Sequence, residues 1–402
     1  MNLDLLLPDL VPRIAAIRRD IHAHPELAFG EHRTAGVVAE FLEGLGLEVF
    51  RGIARTGVVA RLVLGSGKGR SIGLRADMDA LPLDELNAFD HRSRHEGRMH
   101  ACGHDGHTAL LLGAAAALSR LAGGGELAGC DGIVHFIFQP AEEHEGGGEL
   151  MVQEGLFQRF PMEKVFGLHN WPGMDTGYFG IMDGPVMAGA DRFEIVVTGR
   201  GGHAAMPHQA TDTIVAASAL VQALQTVVAR TMDPQDAAVV SVTRFHAGHA
   251  DNILPEEAVL GGTVRCFRPE LQDAIEVAIR RICDGIAAAH GVSIRFNPER
   301  GYPPTFNDPE AAALCRAAAA AIVGEDKVHP DLKPSMGAED FAYLARAVPG
   351  CYVWLGNGPG VGGCMLHSPH YDFNDEVIPL GIRYWVALAR HCLRADNTEV
   401  AA

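Results

Sequence analysis

The sequence predicts an α/β chain with a smaller α+β unit inserted into it, on three observations. Compact apolar runs at Gly132 to Phe138 and Lys164 to His169, bounded by turn residues, read as buried parallel strands alternating with helix-length segments. After Gly184-Pro185 the pattern changes to β-α-β-β-α-β over about a hundred residues, the order of a ferredoxin-like split unit. Signals of the first type resume near Asp308, so the chain leaves the first domain and returns to it. The boundaries read from the sequence are 1–186 with 298–402 for the discontinuous domain and 187–297 for the insertion.

Each element has its local reason. Residues 11 to 47 carry helical spacing in two pieces, broken at His24-Pro25 because the residue before proline avoids helical geometry. Val58 to Leu64 and Ser71 to Ala76 are β-rich and separated by a glycine-rich turn, which predicts a hairpin or strand pair. Thr108 to Leu121, rich in small residues, has helical length. In the insertion, Arg192 to Thr198, Ala238 to Phe245, Ala258 to Phe267 and Ser293 to Phe296 read as strands. Thr211 to Arg230 and Pro269 to His290 read as its helices. Beyond it, Asp308 to Val323, Ala338 to Ala347 and Glu376 to Arg394 read as helical, with a strand at Cys351 to Leu355.

Composition removes several function classes. A length of 402 residues suggests two or three domains at roughly 150 residues each. With 33 Lys and Arg against 50 Asp and Glu, the net charge of −17 opposes a phosphate-tracking surface, so nucleic acid is not an expected partner. The apolar stretch Thr108 to Leu118 is shorter than the about 20 residues a membrane helix needs, and no membrane span is expected. Asp4, Asp9 and Arg13 break the N-terminal apolar run, which reads as a cytoplasmic start. The 8 cysteines form no CxxC pair and read mostly as reduced core residues.

The 20 histidines are the unusual feature, because they crowd into short stretches with Gly, Asp and Glu. The densest is Met99-His100-Ala101-Cys102-Gly103-His104-Asp105-Gly106-His107. Residues two apart in an extended segment face one way, so Cys102 and His104 can offer a thiolate and an imidazole to one divalent ion. A buried cysteine beside helix-capping polar groups is the plainer alternative. The run Gly132 to Phe138 ends in Gln139-Pro140-Ala141-Glu142-Glu143, where adjacent carboxylates diverge, so that one can ligate while the other serves as general base. His169 ends another apolar strand, and His367 follows a glycine-rich loop. Cys102, His104, Glu143, His169 and His367 thus supply five candidate ligands from four segments, enough for two ions if one ligand bridges. In the insertion, His203 on a glycine-flanked loop can donate to a developing oxyanion, whereas Asn252 and Arg265 can equally be ordinary polar residues at strand ends.

These stretches, with Arg18 to Leu27, Leu74 to Pro82, Gly337 to Phe341 and His367-Ser368-Pro369, resemble from end to end the M20 family of metallopeptidases and amidohydrolases. The resemblance is to its hippurate hydrolase, N-acyl-amino-acid amidohydrolase and auxin-conjugate hydrolase branch. It implies a zinc-peptidase-like catalytic domain, a mixed sheet flanked by helices, interrupted by a lid domain that mediates dimerisation, with a tetramer as the further option. It implies two divalent ions, Mn or Zn with Co or Ni as options, on Cys102, His104, Glu143, His169 and His367. Glu142 becomes the general base, His203 the oxyanion donor, Asn252 a ligand of that oxygen or of the substrate carboxylate, and Arg265 a carboxylate clamp. Many M20 peptidases carry His-x-Asp where this chain has Asp77-Met78-Asp79, and a bridging Asp where it has Cys102. Both changes point to the amidohydrolase branch; they place Asp79 behind a ligand histidine and leave Asp77 without a role.

The expected activity is hydrolysis of N-acyl amino acids, with hippurate and N-acetyl compounds as the type substrates. A dipeptidase or carboxypeptidase is the competing enzyme reading, and an inactive metal-binding module the non-enzymatic one.

Overall fold

The computed structural model describes residues 2–359 and 364–394. Its chain divides into two compact units, one of residues 1–184, 306–333 and 340–402, the other of 185–305 and 334–339. The closing strand of the insertion runs from Ser293 to Tyr302, well past the Phe296 read from its apolar pattern, so the return to the first unit comes later than residue 298.

The first unit is built on an eight-stranded mixed sheet. Its central strands, Gly132–Gln139, Arg70–Asp77, Lys164–Trp171 and Gly350–Gly356, are mutually parallel and lie side by side in that order. Glu48–Ile53 and Gly57–Leu64 extend the sheet antiparallel at one side. The expected hairpin between 58–64 and 71–76 does not form, because Gly132–Gln139 inserts between the two strands and pairs with both. Arg70–Asp77 has a parallel neighbour on each edge and is buried without alternation from Ile72 to Asp77, as a strand covered on both faces is.

The helix Leu3–Ala23 packs on the helix His104–Gly123, which also meets the closing helix Ile378–Leu393. The second of these is only Ala, Leu and Gly from Ala109 to Leu118, and that stretch is buried throughout. Small side chains permit that approach: a Cβ at Gly113 would lie 2.5 Å from Ile382 Cδ1, and one at Gly381 would lie 2.6 Å from Leu110 Cδ2. This helix starts at His104, four residues before the expected Thr108, with Gly103 ahead of it at φ 91°.

The second unit carries a four-stranded antiparallel sheet, in order Ala238–Ala247, Glu257–Cys266, Gly189–Thr198 and Ser293–Tyr302. The helices Thr213–Thr226 and Pro269–His290 bury Ala216, Leu220, Leu224, Ile275 and Ile279 with Phe193, Ile195 and Leu260. The longest apolar helical stretch lies here rather than at 108–118: Thr213–Thr231 is long and apolar enough, with mean hydropathy 1.3, to cross a membrane by length and composition. Its Ala216, Leu220, Leu224 and Val227 line the core of this unit, while Ile214 and Val215 are exposed.

Candidate dimetal site

Five chain segments converge at the carboxyl ends of the parallel strands, where open α/β sheets hold ligands. Asp77 ends its strand and Asp79 follows it; Glu142 and Glu143 follow Gln139; His169 and Asn170 lie near the end of Lys164–Trp171. Cys102 and His104 flank the turn into the buried helix, so it is the left-handed Gly103, and not an extended run, that turns both side chains to one point. His367 comes from the loop after the strand Gly350–Gly356.

The ligand atoms form overlapping triples. Those of Cys102, His104 and His169 lie within 4.8 Å of one another, as do those of Cys102, Glu143 and His367. Cys102 belongs to both triples. Cys102 Sγ is 3.4 Å from His169 Nε2, and Glu143 Oε1 is 3.8 Å from His104 Nε2 and 3.3 Å from His367 Nε2.

The hydrogen bonds around the set leave ring nitrogens facing inward. His104 Nδ1 donates to Asp79 O at 2.9 Å and lies 3.2 Å from Asp79 Oδ1, which leaves its Nε2 facing Glu143 Oε1. His169 Nδ1 donates to Asn170 O at 2.6 Å, which leaves its Nε2 facing Cys102 Sγ. His104 Nε2 and Glu143 Oε1 are buried without a hydrogen-bond partner. Two buried polar atoms without hydrogen-bond partners, with the Asp77, Asp79 and Glu143 carboxylates around them favouring positive charge, fit a cation. The thiol, imidazoles and carboxylate therefore fit divalent ions.

His107 behaves differently although it shares the cluster. Its Nδ1 donates to Asp77 Oδ1 at 2.6 Å, and its Nε2 accepts from Asn170 N at 3.0 Å. Both nitrogens are used, which removes it from the ligand set. Asn170 Nδ2 donates to Cys102 O at 2.8 Å, and Asn170 Oδ1 accepts from Tyr371 at 2.6 Å. Asp77, His107 and Asn170 thus form a buried brace behind Cys102, supplying a role for Asp77. Sequence reading had the residues of this brace in view but could not see that one carboxylate would occupy the histidine.

Buried charge is arranged in layers. Arg75, 1% exposed, donates to Asp77 Oδ2 at 2.6 Å, to Gln139 Oε1 at 2.8 Å and to Asp340 Oδ1 at 3.0 Å. Asp340 N in turn donates to Glu142 Oε1 at 3.3 Å, and a Glu142 carboxylate oxygen lies within 4.8 Å of the ligand atoms of His104 and Glu143. Asp79 accepts from Glu143 N through Oδ2 at 3.0 Å while it holds His104, so one carboxylate fixes ligands from two segments. Burial favours the neutral form of Asp77, but His104, His107 and Arg75 outweigh it and hold the group ionised well below its ordinary range. Burial, then the Glu143, Glu142 and Asp77 carboxylates, hold the Cys102 thiol protonated well above its ordinary range. A nearby dication reverses that balance and favours the thiolate. Backbone strain collects here as well, with His367 at φ 64° and Ala141 at φ 55°.

The remaining candidates lie in the second unit. His203 pairs with Ile253, and Ala204 N donates to Asn252 O at 3.0 Å, which brings His203 and Asn252 to one cleft of about 720 Å³. Arg265 is not with them. It occupies the far end of the strand Glu257–Cys266, roughly 25 Å along it from the Asn252 end.

The sequence pattern of peptidase family M20/M25/M40 matches residues 73–391. The chain is 40% identical over 394 residues to a hippurate hydrolase of Campylobacter jejuni, covering 98% of this chain and 100% of that protein. It is 45% identical over 307 residues to an N-acyl-L-amino acid amidohydrolase of Geobacillus stearothermophilus, covering 76% and 80%. Among solved structures, a dinuclear metal-binding peptidase of Bacillus subtilis superposes with a TM-score of 0.83 at 35% identity, covering 96% of this chain and 99% of that one.

Proposed function

The chain belongs to peptidase family M20/M25/M40, and from that premise we propose that it is a metal-dependent amidohydrolase that splits N-acyl amino acids into a carboxylic acid and a free amino acid. One observation supports the reading: the buried Glu142 has a carboxylate oxygen within 4.8 Å of the ligand atoms of His104 and Glu143, and Glu142 Oε1 accepts from Asp340 N. A carboxylate at that distance from the ligand set is positioned to act on a water held there. Cys102, His104, Glu143, His169 and His367 would hold two divalent ions, with Mn or Zn preferred for a mixed sulfur, nitrogen and oxygen set and Co or Ni as substitutes. When bound, such ions supply Lewis acidity to the amide carbonyl and to an attacking water.

The chain's own residues supply the rest. Glu142 takes the proton from the attacking water through a carboxylate oxygen and returns it to the leaving nitrogen, so the amine departs neutral. His203 and Asn252 donate hydrogen bonds to the oxygen that gains charge as the carbonyl carbon becomes tetrahedral. Asp79 and the Asp77, His107 and Asn170 brace hold the ligand side chains in place. The reading includes a homodimer and a cytoplasmic location, the latter supported by eight cysteines that are all free.

The test is amine release from hippurate, N-acetyl amino acids and a free dipeptide, with chelated protein before and after addition of Mn, Zn, Co or Ni. Restored cleavage of the acylated compounds is the expected result. Preference for the free dipeptide would move the chain to the peptidases, and no turnover with any metal would leave a binding protein.

A further inference from the structure

The residue ahead of Glu142 is held in an unfavourable backbone conformation. Ala141 has φ 55°, in the region that favours glycine, and such a geometry persists only where its surroundings over-determine it. Both of its backbone polar groups are tied. Gly147 N donates to Ala141 O at 3.0 Å, and Ala141 N donates to Glu31 Oε1 at 2.9 Å, a bond between residues 110 apart in sequence.

Glu31 reaches that amide by giving up a local use. It is the N-cap residue of the helix His32–Gly44, and its carbonyl accepts from Ala35 N at 2.8 Å, yet its side chain makes no capping bond. Glu26 takes the first-turn amides instead, accepting from Arg33 N at 3.0 Å and from Thr34 N at 2.8 Å. Glu31 is left to point inward, where it is 0% exposed. Its second oxygen accepts from Thr56 Oγ1 at 2.7 Å. Among the described residues no cation pairs with it, and burial raises the group to about 7, against the Thr56 bond and with Asp79 adding to the rise. A buried carboxyl without a countercharge is costly to keep, and what this one supplies is two acceptor oxygens.

Glu142 therefore stands between two anchors. Glu31 holds the residue before it, and Asp79 Oδ2 holds the residue after it through Glu143 N at 3.0 Å. The Glu26 carbonyl also accepts from Ala80 N at 2.8 Å, so residues 26–31 join the turn that carries Asp79 to the loop that carries Glu142. We propose that Glu31 is a positioning residue for the general base, fixing the Glu142 peptide through the Ala141 amide while Asp79 separately fixes the ligand Glu143. The inference rests on the amidohydrolase reading and on Glu142 as the base. A misplacement of about 1 Å costs about 100-fold in rate, so the effect of losing Glu31 falls on kcat and not on metal content.

The test measures kcat and KM for the acyl compound that wild type cleaves fastest, metal content by elemental analysis, and hydrogen exchange at the Ala141 amide by NMR of the zinc-loaded protein. Glu31→Met fills the volume without an acceptor. It is expected to lower kcat by about 10–100-fold, with KM within about threefold and both equivalents of metal retained, and to speed exchange at Ala141 by about tenfold or more. Glu31→Gln keeps an oxygen for Ala141 N and should recover most of the lost kcat. Adding Ala141→Gly to Glu31→Met should recover about tenfold, because glycine adopts positive φ without strain, a response that a role in fold stability alone does not produce. Where Glu31→Met does not fold, Glu31→Asp, which withdraws the oxygens by one methylene, is expected to lower kcat by about tenfold with metal retained. If wild type cleaves no acyl compound with any metal, the amidohydrolase reading fails, and Glu31-dependent exchange at Ala141 still supports the hold on the loop. Unchanged kcat in Glu31→Met or Glu31→Asp, kcat lost together with metal, or exchange at Ala141 indifferent to Glu31 overturns the proposal.

Discussion

His107 and Asp77 are joined by a 2.6 Å hydrogen bond inside a fully buried pocket, and that bond decides which histidines can take a metal. With its other nitrogen accepting from Asn170 N, His107 has no nitrogen left for an ion, whereas His104 and His169 each keep Nε2. A cluster rich in imidazole is thereby divided into ligands and supports.

His107→Ala is expected to weaken metal binding by about 10–100-fold, because the brace that orients Asn170 and the Cys102 backbone loses its middle member. Competition against a coloured chelator measures this directly. An affinity equal to wild type would show that the brace does not position Cys102.

Glu142→Gln should lower kcat by about 10²–10⁴-fold while two equivalents of metal remain bound, as elemental analysis after gel filtration would show. Loss of metal along with activity would make Glu142 a ligand instead of a base.

Gly103→Ala is expected to destabilise the fold by about 1–3 kcal/mol and to reduce metal content. The residue has φ 91°, and a Cβ there would lie 2.2 Å from Asn170 Nδ2 and 2.6 Å from the Tyr371 hydroxyl. Chemical denaturation of the chelated protein isolates the stability effect from metal loss.

A pH dependence follows from the network behind the buried helix. Burial lowers the pKa of His22, but Asp105 at 2.8 Å and Glu85 at 3.3 Å outweigh it, raising the group from 6.5 to about 9. The folded state therefore binds its proton more tightly than the unfolded chain. The resulting stabilisation, of about 1–3 kcal/mol, is fully present below pH 6.5 and is lost as pH rises through about 9. Melting temperature should fall between pH 7 and pH 9.5, and His22→Gln should flatten that fall while lowering stability at pH 7. An equal slope in the variant would assign the titration to another group.

The division between what the sequence and the structure decide runs through individual residues. The parallel strands were legible because burial on both faces writes itself as continuous apolar runs, and the five candidate ligands because Cys, His and Glu beside strand ends have few other uses. Pairing partners were not: Val58 to Leu64 and Ser71 to Ala76 are adjacent in sequence, yet Gly132–Gln139 lies between them, since sheet order is set by long-range packing. The reach of the closing strand to Tyr302 was hidden because exposed strand residues carry no apolar signal. His203 and Asn252 meet through a two-residue strand pairing that local pattern could not register, and Arg265, grouped with them by residue type, stands at the other end of a long strand. The chain by itself determined the chemistry available, the kinds of donor and roughly where each falls along the strands and loops. Only the tertiary structure decided the use of each group, because ligand, support or base depends on which neighbour occupies a nitrogen or oxygen, and that is a property of distances between residues far apart in the chain.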